Sequence, residues 1–234
     1  MMQGKLYLIP SPLSPETEAL VLPAIIKERI QSVNYFLVEN ERTARRFISA
    51  LKTEKDISLI NFTLLDKDTT AESLDVIFKL LKEGTDVGVI SEAGCPGVAD
   101  PGALAVEMAH KHHIEVVPLV GPSSILLALM GSGFSGQSFT FHGYLPIDKP
   151  ERIKSIKQLE RDAQSKTQTQ IFIETPYRNN AMLADILANC QPKTRICIAS
   201  DLTSPAQFLK TQTIQEWKNK IPDLNKKPTV FLLF

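Results

Sequence analysis

The sequence predicts an α/β protein in two parts: a mostly parallel sheet with flanking helices over residues 1–119, and a mixed-sheet α/β part over residues 120–234. Three observations predict it. Short apolar runs alternate with helical patterns through the first half, as in a parallel sheet covered on both faces. Most of those runs end in polar or Gly- and Pro-containing exits, as strands do where they feed helices. After Leu119 the pattern changes, and the later strands imply more antiparallel pairing.

Taken in order, Lys5-Leu6-Tyr7-Leu8-Ile9 is a buried strand stopped by Pro10 and Pro12. A helix is expected next, capped by Ser14 with Pro15 in its first turn, and with Leu20, Ala24, Ile25 and Ile26 near helical spacing. Residues 35–38 form a second strand, 43–51 a helix with Phe47, Ile48 and Leu51 on one side, and 57–62 a third strand. A helix opening at Thr69 carries Leu74, Ile77, Phe78 and Leu81 on one face and ends before Gly84. Residues 86–90 give a strand, 103–109 a helix and 114–119 another strand. An apolar helix then runs to Met130 and is ended by Gly131, Gly133 and Gly136. Residues 139–145 are a strand, and 149–166 a charged helix with Ile153, Ile156 and Leu159 as its apolar positions. Strands at 170–174 and 195–199 enclose a helix at 179–188. Strand 207–213, a short helix around Trp217 and a closing strand at 229–234 complete the chain.

With 234 residues, 43% of them hydrophobic and 22% charged, the chain is ample for a real core. The formal net charge is zero, so no global field draws it to nucleic acid or membrane, and a polyanion would have to be held by a local patch. Cys95, Cys190 and Cys197 have no C-x-x-C spacing, which suggests a reducing compartment rather than a disulfide framework or zinc site. No basic-then-apolar signal pattern opens the chain, and the apolar stretch near 125–130 is too short to span a bilayer. A soluble, cytoplasmic protein without a membrane partner is the expectation.

The richest motif is Ser91-Glu92-Ala93-Gly94-Cys95-Pro96-Gly97-Val98-Ala99-Asp100-Pro101-Gly102. It joins a strand to a helix, the place where open α/β sheets bind ligands, and it is longer than the usual βα connection. Its glycines let a ligand approach the backbone, and its prolines stiffen the path. Gly121-Pro122-Ser123-Ser124 offers free N–H groups and hydroxyls at a helix start, which serve equally as a plain N-cap. Phe141-His142-Gly143-Tyr144-Leu145-Pro146 and Glu174-Thr175-Pro176-Tyr177-Arg178 are two further strand exits. His110, His112 and His113 read as a solvated helix end, and no metal is expected. Arg42, Arg45 and Arg46 form one basic group, and Lys149, Arg152, Lys154, Lys157 and Arg161 another. Such runs are solvated helix faces or, if they meet on one surface, phosphate contacts. Dinucleotide, Walker and G-x-S-x-G fingerprints are absent.

In order and spacing these motifs resemble the tetrapyrrole-methylase-like superfamily of methyltransferases, and within it the branch that methylates a cytidine ribose 2′-oxygen of small-subunit ribosomal RNA. The 91–102 segment is similar to S-D-A-G-T-P-x-x-S-D-P-G, Gly121-Pro122 to P-G-P, and residues 141–146 to F-x-G-F-L-P. Residues 174–178 are similar to E-S-P-H-R and Asp201-Leu202-Thr203 to E-L-T. Departures fall at residues 9–14, where the pattern A-T-P-I-G-N-L loses its glycine, at Asn40, where E-D-T-R has Asp, and at Glu92, again in place of Asp.

The resemblance implies a two-domain, tetrapyrrole-methylase-like homodimer that uses S-adenosylmethionine in the cleft between its domains. The cofactor residues it implies are Pro10, Ser91, Glu92, Ala93, Gly94, Pro96, Asp100, Gly102, Gly121, Pro122, Ser123, Ser124, Gly143, Tyr144 and Leu145, with Thr229 and Val230 on the adenine. Transfer to a ribose hydroxyl gains from a general base, for which Glu39, Glu92 and Glu174 are candidates at strand exits. Arg42 and Arg178 are candidates for holding an RNA phosphate of the small ribosomal subunit. A methyltransferase acting on a small molecule such as a tetrapyrrole, and a non-catalytic cofactor-binding protein, are the alternatives.

Overall fold

In a computed structural model, which describes residues 3–234, the chain divides into two units, the first ending at Ser123 and the second running from Ser124 to Phe234. The first unit carries strands β1 (Lys5–Ile9), β2 (Tyr35–Val38), β3 (Asn61–Leu64), β4 (Val87–Ile90) and β5 (Glu115–Pro118). They pair in the order β3-β2-β4-β1-β5, and every pairing is parallel. Helices α1 (Glu18–Val21), α2 (Ala24–Ser32), α3 (Glu41–Ala50), α4 (Asp75–Lys82) and α5 (Gly102–Lys111) connect them.

Strand alternation sorts side chains onto two faces. Leu6, Leu37, Val87 and Val89 pack with Ile77, Phe78 and Leu81 of α4 and Ala105 and Met108 of α5. Tyr7, Ile9, Phe36 and Val38 pack with Ile26 and Ile30 of α2 and Phe47 and Ile48 of α3. The sheet is therefore buried on both sides, and β4, at its centre, is buried at every position. At Gly88 a Cβ would lie 2.7 Å from the Phe36 ring, so that strand crossing needs the glycine. Because β1 sends the chain to one side of the sheet and β4 sends it to the other, the carboxyl ends of these neighbouring strands form the topological switch point.

The second unit has β6 (Phe139–Tyr144), β7 (Thr169–Glu174), β8 (Arg195–Ser200), β9 (Phe208–Thr213) and β10 (Thr229–Leu233) in the order β6-β7-β10-β8-β9. Only β6 and β7 are parallel, so the sheet is mixed. Its helices are α6 (Ser124–Ser132), α7 (Lys149–Lys166), α8 (Asn179–Asn189) and α9 (Ile214–Trp217). Ile156, Leu159, Met182, Ile186 and Trp217 pack on Phe172, Ile198 and Phe231 to form its main core.

Several expectations are corrected. The helix expected from Ser14 is two helices broken at Leu22 and Pro23, because a proline at residue 23 removes an N–H and can only restart the ladder. Leu20 is then 83% exposed rather than part of a continuous apolar face. The third strand begins at Asn61, and Ile57–Leu59 is a 3-10 turn capped by the Asp56 carboxylate. Gly131 lies inside α6 instead of ending it, since a Cβ there would meet Leu209 at 2.4 Å. In the basic run on α7, Lys149, Lys154, Lys157 and Arg161 are exposed as on a solvated face, but Arg152 is not. Arg152 is buried and ion-paired with Asp185 at 2.6 Å, and Lys149 approaches the same carboxylate at 3.5 Å.

Candidate functional site

Three segments meet at the switch point of the first unit. Ser11, just past β1, exchanges two backbone hydrogen bonds with Gly94, at 3.0 and 3.1 Å. The Ser11 hydroxyl donates to the Ser91 carbonyl and the Ser91 hydroxyl to the Gly94 carbonyl, each at 2.8 Å. Gly94 has a φ of 80°, which lets the loop reverse while its amide faces Ser11. Gly121 packs on Pro10, where a Cβ would come within 2.2 Å, and the Cys95 thiol sits 3.4 Å from the Pro122 carbonyl. Pro10, Ser91, Gly94, Gly121 and Pro122 are thus drawn together, and Glu92 and Ala93 are left exposed between them.

Asp100 ties off the far end of the loop. Its Oδ1 accepts from the amides of Gly97 at 2.5 Å and Gly102 at 2.8 Å, the latter being the first residue of α5. Burial pushes its carboxyl up from the ordinary value, and these two amides oppose that rise. Pro96 is buried within the same turn.

Glu39 and Asn40 follow β2. The Asn40 Oδ1 accepts from the amides of Arg42 and Thr43 at 2.9 and 3.2 Å, an N-cap that Asp would also supply. Glu39 is half-buried and accepts from the Glu92 amide at 3.4 Å. Burial raises its carboxyl, the Glu92 amide opposes the rise, and the charges of Asp100 and Glu92 add to it. Arg45 is held by Glu41 at 2.7 Å and by the Ile57 carbonyl, whereas Arg42 and Arg46 are exposed without an ion pair among the described residues. A cavity of about 160 Å³ opens beside them, lined by residues 11–15, by Asn40, Thr43 and Arg46, and by residues 90–93.

The remaining expected residues belong to the second unit, apart from Ser123 at the end of the first. Ser124 starts α6, and Gly143, at a φ of 64°, sits where the register of β6 against β7 shifts, followed by exposed Tyr144 and buried Leu145. Thr229 faces Glu174 across one ladder and Ser200 across the other, with Val230 next to it. The Glu174 carboxylate is buried and accepts from the Thr175 amide and from Arg178 Nη2, both at 2.6 Å. The three glutamates therefore differ. Glu39 and Glu92 are neighbours in the first unit, whereas Glu174 braces the β7 exit of the second through Arg178.

Among the residues of the second unit that hold unsatisfied buried polar atoms, sequence reasoning named Arg178 as a site candidate but not Ser200, Thr203 or Asn179. Ser200 Oγ, Thr203 Oγ1, Asn179 Oδ1 and Arg178 Nε are buried with no hydrogen-bond partner. Thr203, a β-branched residue, holds a φ of 71°, a costly conformation of the kind that collects at ligand sites. The motifs Glu174-Thr175-Pro176-Tyr177-Arg178 and Asp201-Leu202-Thr203 carried the advance signals. The Ser200 hydroxyl lies on the strand position paired with Thr229, and a buried hydroxyl left unsatisfied calls for a polar partner.

A family profile described as Tetrapyrrole (Corrin/Porphyrin) Methylases matches residues 25–218. Proteins named ribosomal RNA small subunit methyltransferase I are similar over most of the chain. That of Thermotoga maritima is 31% identical over 79% of this chain and 77% of its own length. That of Buchnera aphidicola subsp. Acyrthosiphon pisum is 27% identical over 92% and 73%. That of Micromonospora olivasterospora is 35% identical over 79% of this chain, which spans 55% of that longer relative. Among solved structures the methyltransferase CobJ superposes with a TM-score of 0.65 at 17% identity, covering 98% of this chain and 93% of that one. Uroporphyrin-III C-methyl transferase from Thermus thermophilus, complexed with S-adenyl homocysteine, gives 0.57 at 15% identity, covering 98% and 97%. These two likenesses show the two-part α/β fold.

Proposed function

The chain belongs to the tetrapyrrole methylase family of S-adenosylmethionine-dependent methyltransferases, and we propose that its acceptor is a ribose 2′-hydroxyl of small-subunit ribosomal RNA. The observation that carries the acceptor is the run of curated relatives with that name, reaching 31% identity over 77% of the Thermotoga maritima protein. Arg42, unpaired and exposed in the first turn of α3, supports a local phosphate contact on a chain whose net charge is zero. With this acceptor the protein works among the ribosomes of the cytoplasm. No described helix is long and apolar enough to cross a membrane.

S-adenosylmethionine supplies an electrophilic methyl group on a sulfonium, a good leaving group. The chain then has to align donor and acceptor and exclude water. The stitched loops at Pro10, residues 91–96 and Gly121-Pro122 form a rigid backbone edge that would hold the cofactor. Transfer of that methyl group to the acceptor oxygen would free the hydroxyl proton, which a carboxylate of the chain would take up. Glu39 suits that role best, because burial raises its proton affinity while one amide orients it. Glu174, with both of its hydrogen bonds spent on Thr175 and Arg178, suits the role of a brace. A homodimer agrees with the resemblance and with α6, which carries no charged residue and leaves Met130 79% exposed.

The test is tritiated methyl transfer from S-adenosylmethionine to purified small ribosomal subunits lacking the modification. Label in the RNA is expected. Label reaching only a tetrapyrrole, or no acceptor at all, would replace this reading with one of the two alternatives.

A further inference from the structure

We propose that the cavity behind the first loop receives one unpaired nucleobase of the acceptor RNA, read at its carbonyl and ring-nitrogen acceptors by Asn40 and Arg46. The inference rests on RNA as the acceptor and deepens that reading.

The cavity holds about 160 Å³ and lies at the carboxyl ends of β2 and β4. Val38, Ala44, Phe47 and Ile90 are buried side chains that line it, an apolar floor suited to the face of a heterocycle. Its polar lining is asymmetric. The Asn40 Oδ1 is already taken by two amides of α3, which fixes the orientation of the side-chain amide. What Asn40 has left to offer is its Nδ2 donor, which has no partner among the described residues. Arg46 is exposed and has no ion pair or hydrogen bond there, unlike Arg45 one residue before it. The free groups of these two residues are all N–H donors. Glu18 and Glu92 also line the cavity. Their carboxylates disfavour a phosphate and are compatible with the exocyclic amines of a base. Taking a base out of its stack is also how an enzyme reaches an atom that a folded RNA strand covers.

Asn40→Asp and Arg46→Ala test this in the full-length protein. Aspartate caps a helix as well as asparagine does, so the first variant keeps the fold, which thermal melting checks, and replaces the free donor by a charged acceptor, whose general repulsion of RNA the salt dependence of KM separates from a lost base contact. Steady-state methyl transfer to small ribosomal subunits, S-adenosylmethionine affinity by calorimetry, and the salt dependence of KM are measured. KM for the subunit is expected to rise about ten-fold in each variant, with cofactor affinity kept and the change falling on KM rather than kcat. The salt slope of Arg46→Ala is expected to match that of the parent, because no phosphate contact is lost. Unchanged KM in both variants overturns the proposal. So does a slope reduced by about one in Arg46→Ala, which would make that residue a phosphate clamp. Failure of the parent enzyme to label subunits would remove the RNA reading and this inference together, an outcome distinct from active transfer that the two variants leave untouched.

Discussion

At the scale of single residues, the account turns on carboxylates and hydroxyls whose surroundings differ although their sequence settings look alike. Glu39, Glu92 and Glu174 each end a strand, yet Glu92 is exposed, Glu174 is buried against Arg178, and Glu39 is half-buried with its proton affinity raised by burial. Glu39→Gln is therefore expected to lower kcat about a hundred-fold while S-adenosylmethionine affinity, read by calorimetry, stays near that of the parent. Equal kcat would remove Glu39 as the base. The same shift carries a stability signature. A carboxyl whose proton affinity is higher in the folded state binds more protons there than when unfolded, so stability falls as pH rises from the ordinary glutamate value of 4.5 through the raised folded value. Glu39→Gln should melt higher than the parent above that window and lose the advantage below it. Ser200→Ala makes a separate forecast. The Ser200 hydroxyl is buried without a partner, so its loss should leave the unliganded protein no less stable, while cofactor binding weakens by about 1 kcal/mol. A drop in unliganded stability with unchanged binding would assign it to the fold instead.

Elements show where local pattern suffices and where it does not. The strands of the first unit were legible because four- and five-residue apolar runs such as those of β1 and β2 leave little choice, and α7 matches its expected bounds of Lys149–Lys166. The break between α1 and α2 was missed because helical spacing from Leu20 to Ile26 continues across Pro23, and the proline overrides it. Arg152 was read as part of a solvated run because its partner, Asp185, lies 33 positions away on α8, beyond any local pattern. Asp185→Ala should cost about 3 kcal/mol in urea unfolding, since it strands a buried guanidinium. A loss under about 1 kcal/mol, as for an exposed pair, would contradict the burial argument. In the central strand, Gly88→Ala should destabilise by about 1–3 kcal/mol, because the added Cβ meets both Phe36 and Ile9 within 3 Å. Unaltered stability would mean the Phe36 ring moves aside freely.

For the whole molecule, the strand order β3-β2-β4-β1-β5 puts the richest sequence segment at the topological switch point, where open parallel sheets bind ligands. The loop after β4 sits at the switch point beside the loop after β1, and the Ser11–Gly94 pairing binds the two over a separation that no reading of either segment could supply. Motif order carried the family. It did not carry the cavity bounded by Asn40 and Arg46 or the unpaired Ser200 hydroxyl opposite Thr229, because both depend on which strands become neighbours. The central claim is that this fold transfers a methyl group to a ribose of small-subunit RNA. The most direct test is to incubate the protein with S-adenosylmethionine and unmodified small subunits, digest the RNA completely and identify the methylated nucleoside. The account predicts a nucleoside methylated on its ribose oxygen, formed by the parent protein and nearly lost with Glu39→Gln. A methyl group on a base, or RNA left unmodified, would contradict it.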